Sequence, residues 1–135
     1  MKITNTEIVE ELNHLMAEEI EAFLRYFQMR YRVQNPQNDF FDKAMEETVE
    51  HAEAIAEHIR TLGQVPRLNI KLTVGGTPIS FKEALSEALI FEQQALDAYK
   101  DTLPRVKGNP KLEEFIRLQI ATESEHVAEI RALLK

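Results

Sequence analysis

Apolar side chains recur at alternating intervals of three and four residues through four long stretches of the chain, the spacing that gathers them on one face of an α-helix. The first stripe runs through Ile8, Leu12, Leu15, Met16, Ala22, Phe23, Tyr26 and Met29 or Arg30. The second holds Phe41, Ala44, Met45, Thr48, Ala52, Ile55, Ile59 and Leu62. The third passes through Leu85, Ala88, Leu89, Ala95, Leu96, Tyr99 and Leu103, and the fourth through Leu112, Phe115, Ile116, Ile120, Val127, Ile130 and Leu134. Cap chemistry sets the bounds. Thr4, answered by Glu7, opens a helix to about Val33; Asn35-Pro36-Gln37-Asn38 makes a turn; a second helix runs from about Phe40 to Leu62, before Gly63. Ser80 and Glu83 form a capping box for the third helix. Pro104 to Pro110 breaks the chain, and Asn109 caps a fourth helix that runs to Lys135. The long link from Gly63 to Ser80 offers one short extended piece, Ile70 to Val74, and one such run does not build a sheet. The pattern predicts an all-α domain over residues 1–135, a four-helix bundle whose long crossover sets helices 2 and 3 parallel.

Five ionisable groups interrupt these stripes: Glu19 in the first, His51 in the second, Glu92 in the third, and Glu123 with His126 in the fourth. A buried Glu or His needs a partner, because an isolated charge on an apolar face is costly, and a metal ion is the strongest partner available. Glu123 and His126, three apart, project from adjacent turns toward one point and offer an oxygen and a nitrogen to one ion. The two halves of the chain also repeat. Glu19-x-x-Ala22-x-x-x-Tyr26 matches Glu92-x-x-Ala95-x-x-x-Tyr99, and Glu50-His51-Ala52 with Ile55 matches Glu125-His126-Val127 with Ile130. A pseudo-twofold arrangement of two helix pairs brings all five groups to one place. It leaves Thr48 where Glu123 has its counterpart, with Glu47 four residues before His51 and still within reach. His14, with Glu18 at i+4, reads as a surface pair, and His58 as a packed histidine at the edge of the core.

Composition narrows the chemistry. A formal net charge of −7 argues against a nucleic-acid partner and suits the attraction of small cations. The absence of cysteine rules out disulfides, thiolate metal sites and a thiol nucleophile, so a metal must take oxygen and nitrogen ligands. No apolar run reaches membrane-spanning length and the start has no apolar signal core, which points to a cytoplasmic protein with no membrane partner.

With these residues in place the sequence resembles the ferritin-like superfamily, within it the bacterioferritin and rubrerythrin branch, over nearly the whole chain. In that family two single glutamates and two Glu-x-x-His motifs hold a di-iron centre. The resemblance implies that Glu19 and Glu92 are the single carboxylates, Glu123 with His126 one complete motif, and His51 the second histidine. Glu19, Glu92 and Glu123 would then serve iron oxidation. It also implies Fe as the bound metal, dioxygen or peroxide as oxidant, and a homo-oligomer, a dimer or small cage. Tyr26 and Tyr99 become either donors to the ligand carboxylates or core aromatics with a polar tip.

Three departures from the family pattern carry expectations. Thr48 replaces a bridging carboxylate, which predicts an asymmetric or single-metal site unless Glu47, Glu50 or an exogenous anion substitutes. Val49 stands where bacterioferritins carry the haem-ligating methionine, so no haem is expected. The sequence lacks the fifth helix of the large ferritin cages and the cysteine-rich rubredoxin domain of rubrerythrins, which makes a 24-subunit shell and an internal rubredoxin donor unexpected. The expected activity is oxidation of ferrous iron at this centre. The alternatives are a ferritin-fold metal oxidoreductase acting on another substrate, and a metal-free helical bundle serving as an interaction module.

Overall fold

The computed structural model describes residues 4–34 and 39–135. Four helices, α1 (Asn5–Arg32), α2 (Phe40–Thr61), α3 (Phe81–Thr102) and α4 (Pro110–Leu134), carry the architecture, with a 3₁₀ turn, Leu103–Val106, before α4. Thr4 accepts the Glu7 N–H at 3.2 Å, and Ser80 and Glu83 exchange both bonds of a capping box, at 3.0 and 3.1 Å. Asn109 accepts the Leu112 N–H, with Pro110 in the first turn behind it. Gly63 ends α2 at φ +83°, a left-handed conformation that a side chain would disfavour. The expected turn over Asn35 to Asn38 lies outside the described residues.

Helix α1 packs along α2 and α3 along α4, and the two pairs meet chiefly through α1 and α3. The crossover explains how. Arg67 donates its N–H to Asn13 Oδ1 at 2.8 Å, and Arg32 Nε donates to the Thr77 carbonyl at 2.9 Å, so the segment climbs α1 in the direction of that helix. From Asn13 to Arg32, α1 rises about 28 Å, and the ten-residue step from Arg67 to Thr77 reaches about 33 Å at full extension. The crossover therefore covers the climb without folding back on itself. It is no strand: besides its helix contacts it makes one isolated parallel bridge, Val33 with Ile79. Ile70 to Val74 is extended without a partner to pair with. This strap returns the chain to the end where α2 begins, and α3 runs parallel to α2. Phe40, Phe41 and Phe81 from the two helix starts meet edge to face, with ring centroids 5.5–6.1 Å apart.

The core is divided. One apolar cluster, built on Leu12, Leu15, Ile55, Ile59 and Ile116, fills the half near the start of α1. A second, built on Met29, Phe41, Leu85, Ala88 and Ile130, fills the other half. Glu19, Glu92 and Glu123 are buried at heights between the two. The stripes match the sequence reading along their centres, while Phe23, Ala44, Met45 and Leu89 at their margins are half-buried and Val9 and Ala17 are buried beside the first. On α4 the inward face itself is corrected. Gln119 occupies the buried position, while Phe115 and Ile120 are half-buried, because the inward face runs Leu112, Ile116, Gln119, Glu123, Val127, Ile130. Among the described residues no helix is long and apolar enough to cross a membrane.

Candidate metal centre

Each helix contributes to the polar layer from a position that its apolar stripe forces inward. Glu19 lies between Met16 and Ala22 on α1, Glu92 between Ala88 and Ala95 on α3, and Glu123 between Gln119 and Val127 on α4. His51 of α2 and His126 of α4 reach the layer from its edge, their rings near-parallel with centroids 6.1 Å apart.

The groups sort into two sets that share one carboxylate. His51 Nδ1 lies 3.2 Å from Glu19 Oε2 and 3.7 Å from Glu123 Oε1. His126 Nδ1 lies 3.1 Å from Glu92 Oε2 and 3.8 Å from Glu123 Oε2. Glu123 thus turns one oxygen to each half, and in both sets the donor atoms lie within 4.8 Å of one another. Glu123 Oε2 is buried with no hydrogen-bond partner, a costly state for a carboxylate oxygen. Two carboxylate oxygens and an imidazole nitrogen on each side suit a divalent transition metal, and an ion beside Glu123 would satisfy the orphaned oxygen. These residues fit the group that the sequence implies.

The tyrosines pair crosswise. Tyr99 of α3 donates its O–H to Glu19 of α1 at 2.6 Å, and Tyr26 of α1 engages Glu92 of α3. Burial, then the nearby carboxylates, raise both phenols well above their ordinary range, so both remain O–H donors at neutral pH. The choice between donor and core aromatic falls to donor, through the opposite helix.

Electrostatics shape the metal-free layer. Burial pushes the Glu123 carboxyl up to about 9, and the charges of Glu92 and Glu19 add to the rise. Burial by itself would lower His126, but Glu123 and Glu92 outweigh it and push the imidazole up to about 11. The layer therefore holds protons that a metal must displace.

Thr48 and Glu47 settle differently from one another. Thr48 is buried on the inward face of α2, but its hydroxyl donates to the Met45 carbonyl at 2.8 Å, so the hydrogen serves its own helix. Glu47 is half-buried and its Oε2 touches His126 Nε2, the ring nitrogen facing away from Glu92 and Glu123. As placed, it stands outside both three-residue sets and holds the ring from behind. Glu50 is exposed and turned from the layer. His14 makes the surface pair with Glu18, at 2.7 Å, and His58 packs on the Phe115 ring at 4.5 Å, as the sequence indicated for both. A narrow cleft lined by Tyr26, Phe40, Lys43, Glu47, Thr48 and Glu129 opens onto Glu92 and His126. Sequence reasoning missed the crosswise tyrosine pairing and Gln119, whose Oε1 is a second buried acceptor without a partner. The first depends on interhelical distances, and the second is invisible to a scan for apolar residues.

Comparison with known proteins bears on the fold. No curated protein matches the sequence. In fold, a ferritin-like diiron-carboxylate protein from Bacillus anthracis superposes with a TM-score of 0.86 at 26% identity over 100% of both chains. The bacterioferritin of Desulfovibrio desulfuricans, with its diiron site, superposes at 0.85 with 20% identity over 96% of this chain and 79% of that one. A Dps protein from Bacillus brevis reaches 0.87 at 15% identity over 100% of both. The family model described as the ferritin-like domain matches residues 9–135. The chain, four helices around a shared layer of glutamates and histidines, belongs to the ferritin-like family.

Proposed function

We propose that this protein binds ferrous iron in the layer formed by Glu19, His51, Glu92, Glu123 and His126, and that the iron is oxidised there by dioxygen or peroxide. The observation that carries the reading is Glu123, a buried carboxylate that turns one oxygen to each of two Glu/His sets and leaves Oε2 without a partner. Two ferrous ions supply the two electrons that reduce dioxygen to peroxide, or peroxide to water. The protein's part is to favour the ferric product with carboxylate charge, to fix the imidazoles and to confine access to one narrow cleft. Tyr99 and Tyr26 hold Glu19 and Glu92 in orientation, and Glu47 braces His126 from its far side. The narrowness of the cleft beside His126 favours an oxidant of a few atoms over a bulky organic substrate.

The reading extends to self-association. Leu24, Phe27 and Tyr31 form an exposed apolar run on the side of α1 away from the core, which supports burial against a second copy.

The test is anaerobic loading with ferrous iron, metal analysis per subunit, and absorbance on adding oxygen. The reading expects bound iron and a ferric signal that follows oxygen. Absence of tightly bound iron would end it and return the protein to a metal-free bundle.

A further inference from the structure

The repeat that relates the two helix pairs is broken at Glu47 and Thr48, whose counterparts are Thr122 and Glu123, and the break coincides with the cleft. Glu123 and Thr48 are counterparts, each three residues before a histidine of the layer, and both side chains are buried. Glu123 bridges, with Oε1 toward the His51 set and Oε2 toward the His126 set. Across from it Thr48 supplies no carboxylate, and its hydroxyl donates to the Met45 carbonyl. The same Thr48 lines the cleft that reaches Glu92 and His126, so the place of the absent carboxylate is reachable from solvent.

We propose that the position opposite Glu123 is a subsite for an exogenous carboxylate of formate size, which bridges the two metal ions where the counterpart of Glu123 is absent; this rests on the metal-binding reading above. Charge supports it. Two ferrous ions bring +4, and Glu19, Glu92 and Glu123 supply three negative charges, which leaves a centre of about +1 that one monoanion neutralises. Chemistry supports it too. A carboxylate could give one oxygen to each ion, as Glu123 would, whereas chloride or hydroxide offers a single atom. Access favours a small ligand and depends on the metal: Glu47, Glu92 and Glu129 line the cleft against Lys43, whose ammonium lies 3.9 Å from Glu47, so an anion is drawn in only once cations occupy the layer. Thr48 thereby sets the specificity of the centre for a bridging ligand from solution. The side chain that could compete is Glu47, which would have to leave His126 to fill the position.

The test uses the full chain and cobalt(II), which binds oxygen and nitrogen donors and reports coordination through its visible bands. Anaerobic titration in carboxylate-free chloride buffer is compared with the same titration in sodium formate, by equilibrium dialysis and absorbance. Wild-type protein is expected to bind its second ion at least about tenfold more tightly with formate, with a change in the cobalt bands. Thr48→Glu is expected to bind two ions equally well with and without formate; should that variant not fold, the wild-type comparison decides alone. Second-ion affinity indifferent to formate overturns the proposal. So does tight binding of two ions without formate that Glu47→Gln reduces to one, since a protein carboxylate then fills the position. No cobalt bound under any condition, with Glu123→Ala no different from wild type, would instead sink the metal centre itself and the subsite with it.

Discussion

At the scale of single residues the layer is a set of groups held in an unfavourable state until something binds. Glu123 keeps a proton up to about pH 9 and His126 up to about pH 11, against ordinary values of 4.5 and 6.5. Both folded-state values lie above the unfolded ones, so the native state holds protons that the unfolded chain releases. Stability from these groups is fully present below pH 4.5 for Glu123 and below pH 6.5 for His126, and is lost as pH rises through the folded values. The melting temperature of metal-free protein is therefore expected to fall between pH 6 and pH 9 in a thermal scan, relative to Glu123→Gln, in which the Glu123 contribution is absent. Metal affinity should move oppositely, rising with pH, with proton release measurable in weakly buffered solution. Glu123→Ala and His126→Ala should each weaken metal binding by about a hundredfold or more, while His14→Ala leaves it unchanged, as isothermal titration would report. Tyr99→Phe removes the 2.6 Å bond to buried Glu19 and should cost about 1–3 kcal/mol in denaturant unfolding. The five inward groups were legible in the sequence because an ionisable residue inside an apolar stripe stands out. Beyond Glu123 with His126, the partners across helices were not, since Tyr99 finds Glu19 across 80 positions of chain, a distance that periodicity on one helix does not encode.

At the scale of elements, legibility follows how local the cause is. The Ser80–Glu83 box, the Asn109 cap and the Gly63 stop are all set within four residues, and each is where the sequence placed it. Gly63→Ala should destabilise by about 1–2 kcal/mol, because a Cβ disfavours the left-handed backbone while no neighbour lies within 4 Å to clash. Ser80→Ala should cost about 1 kcal/mol for its lost bond to the Glu83 N–H. The inward turn of Gln119 and the path of the crossover were harder to read. The extended run at Ile70 to Val74 has the look of a strand, yet its neighbour is a helix surface that offers no ladder. Thr48 was legible as an exception but not its bond to Met45, a choice between solvent, site and own helix that local spacing leaves open.

At the scale of the whole molecule, the polar layer splits the apolar interior, and the two parts are joined through groups that, without a metal, keep extra protons on Glu123 and His126 and leave Glu123 Oε2 without a partner. Metal binding should therefore stabilise the entire bundle and raise the unfolding midpoint in proportion to the logarithm of free metal. The exposed run on α1 belongs to this scale as well. Phe27 is 48% and Tyr31 72% exposed, and replacing both by Glu should shift sedimentation toward a smaller species without altering metal stoichiometry per chain.

The strap over α1 acts as a ruler between the two helix pairs. Between its anchors, the Arg67 N–H on Asn13 and the Ile79 N–H on the Arg32 carbonyl, it has about 40 Å of reach for about 28 Å of helix, slack for about three residues. Shortening it by five would drag the α3–α4 pair along α1 by about a helical turn. Each half would keep its own glutamate and histidine, yet Tyr99 could no longer meet Glu19, nor Glu123 face His51. The length of a segment outside the layer thus bounds the separation of the two Glu/His sets, and insertion or deletion in the strap would shift it without altering a residue of either set.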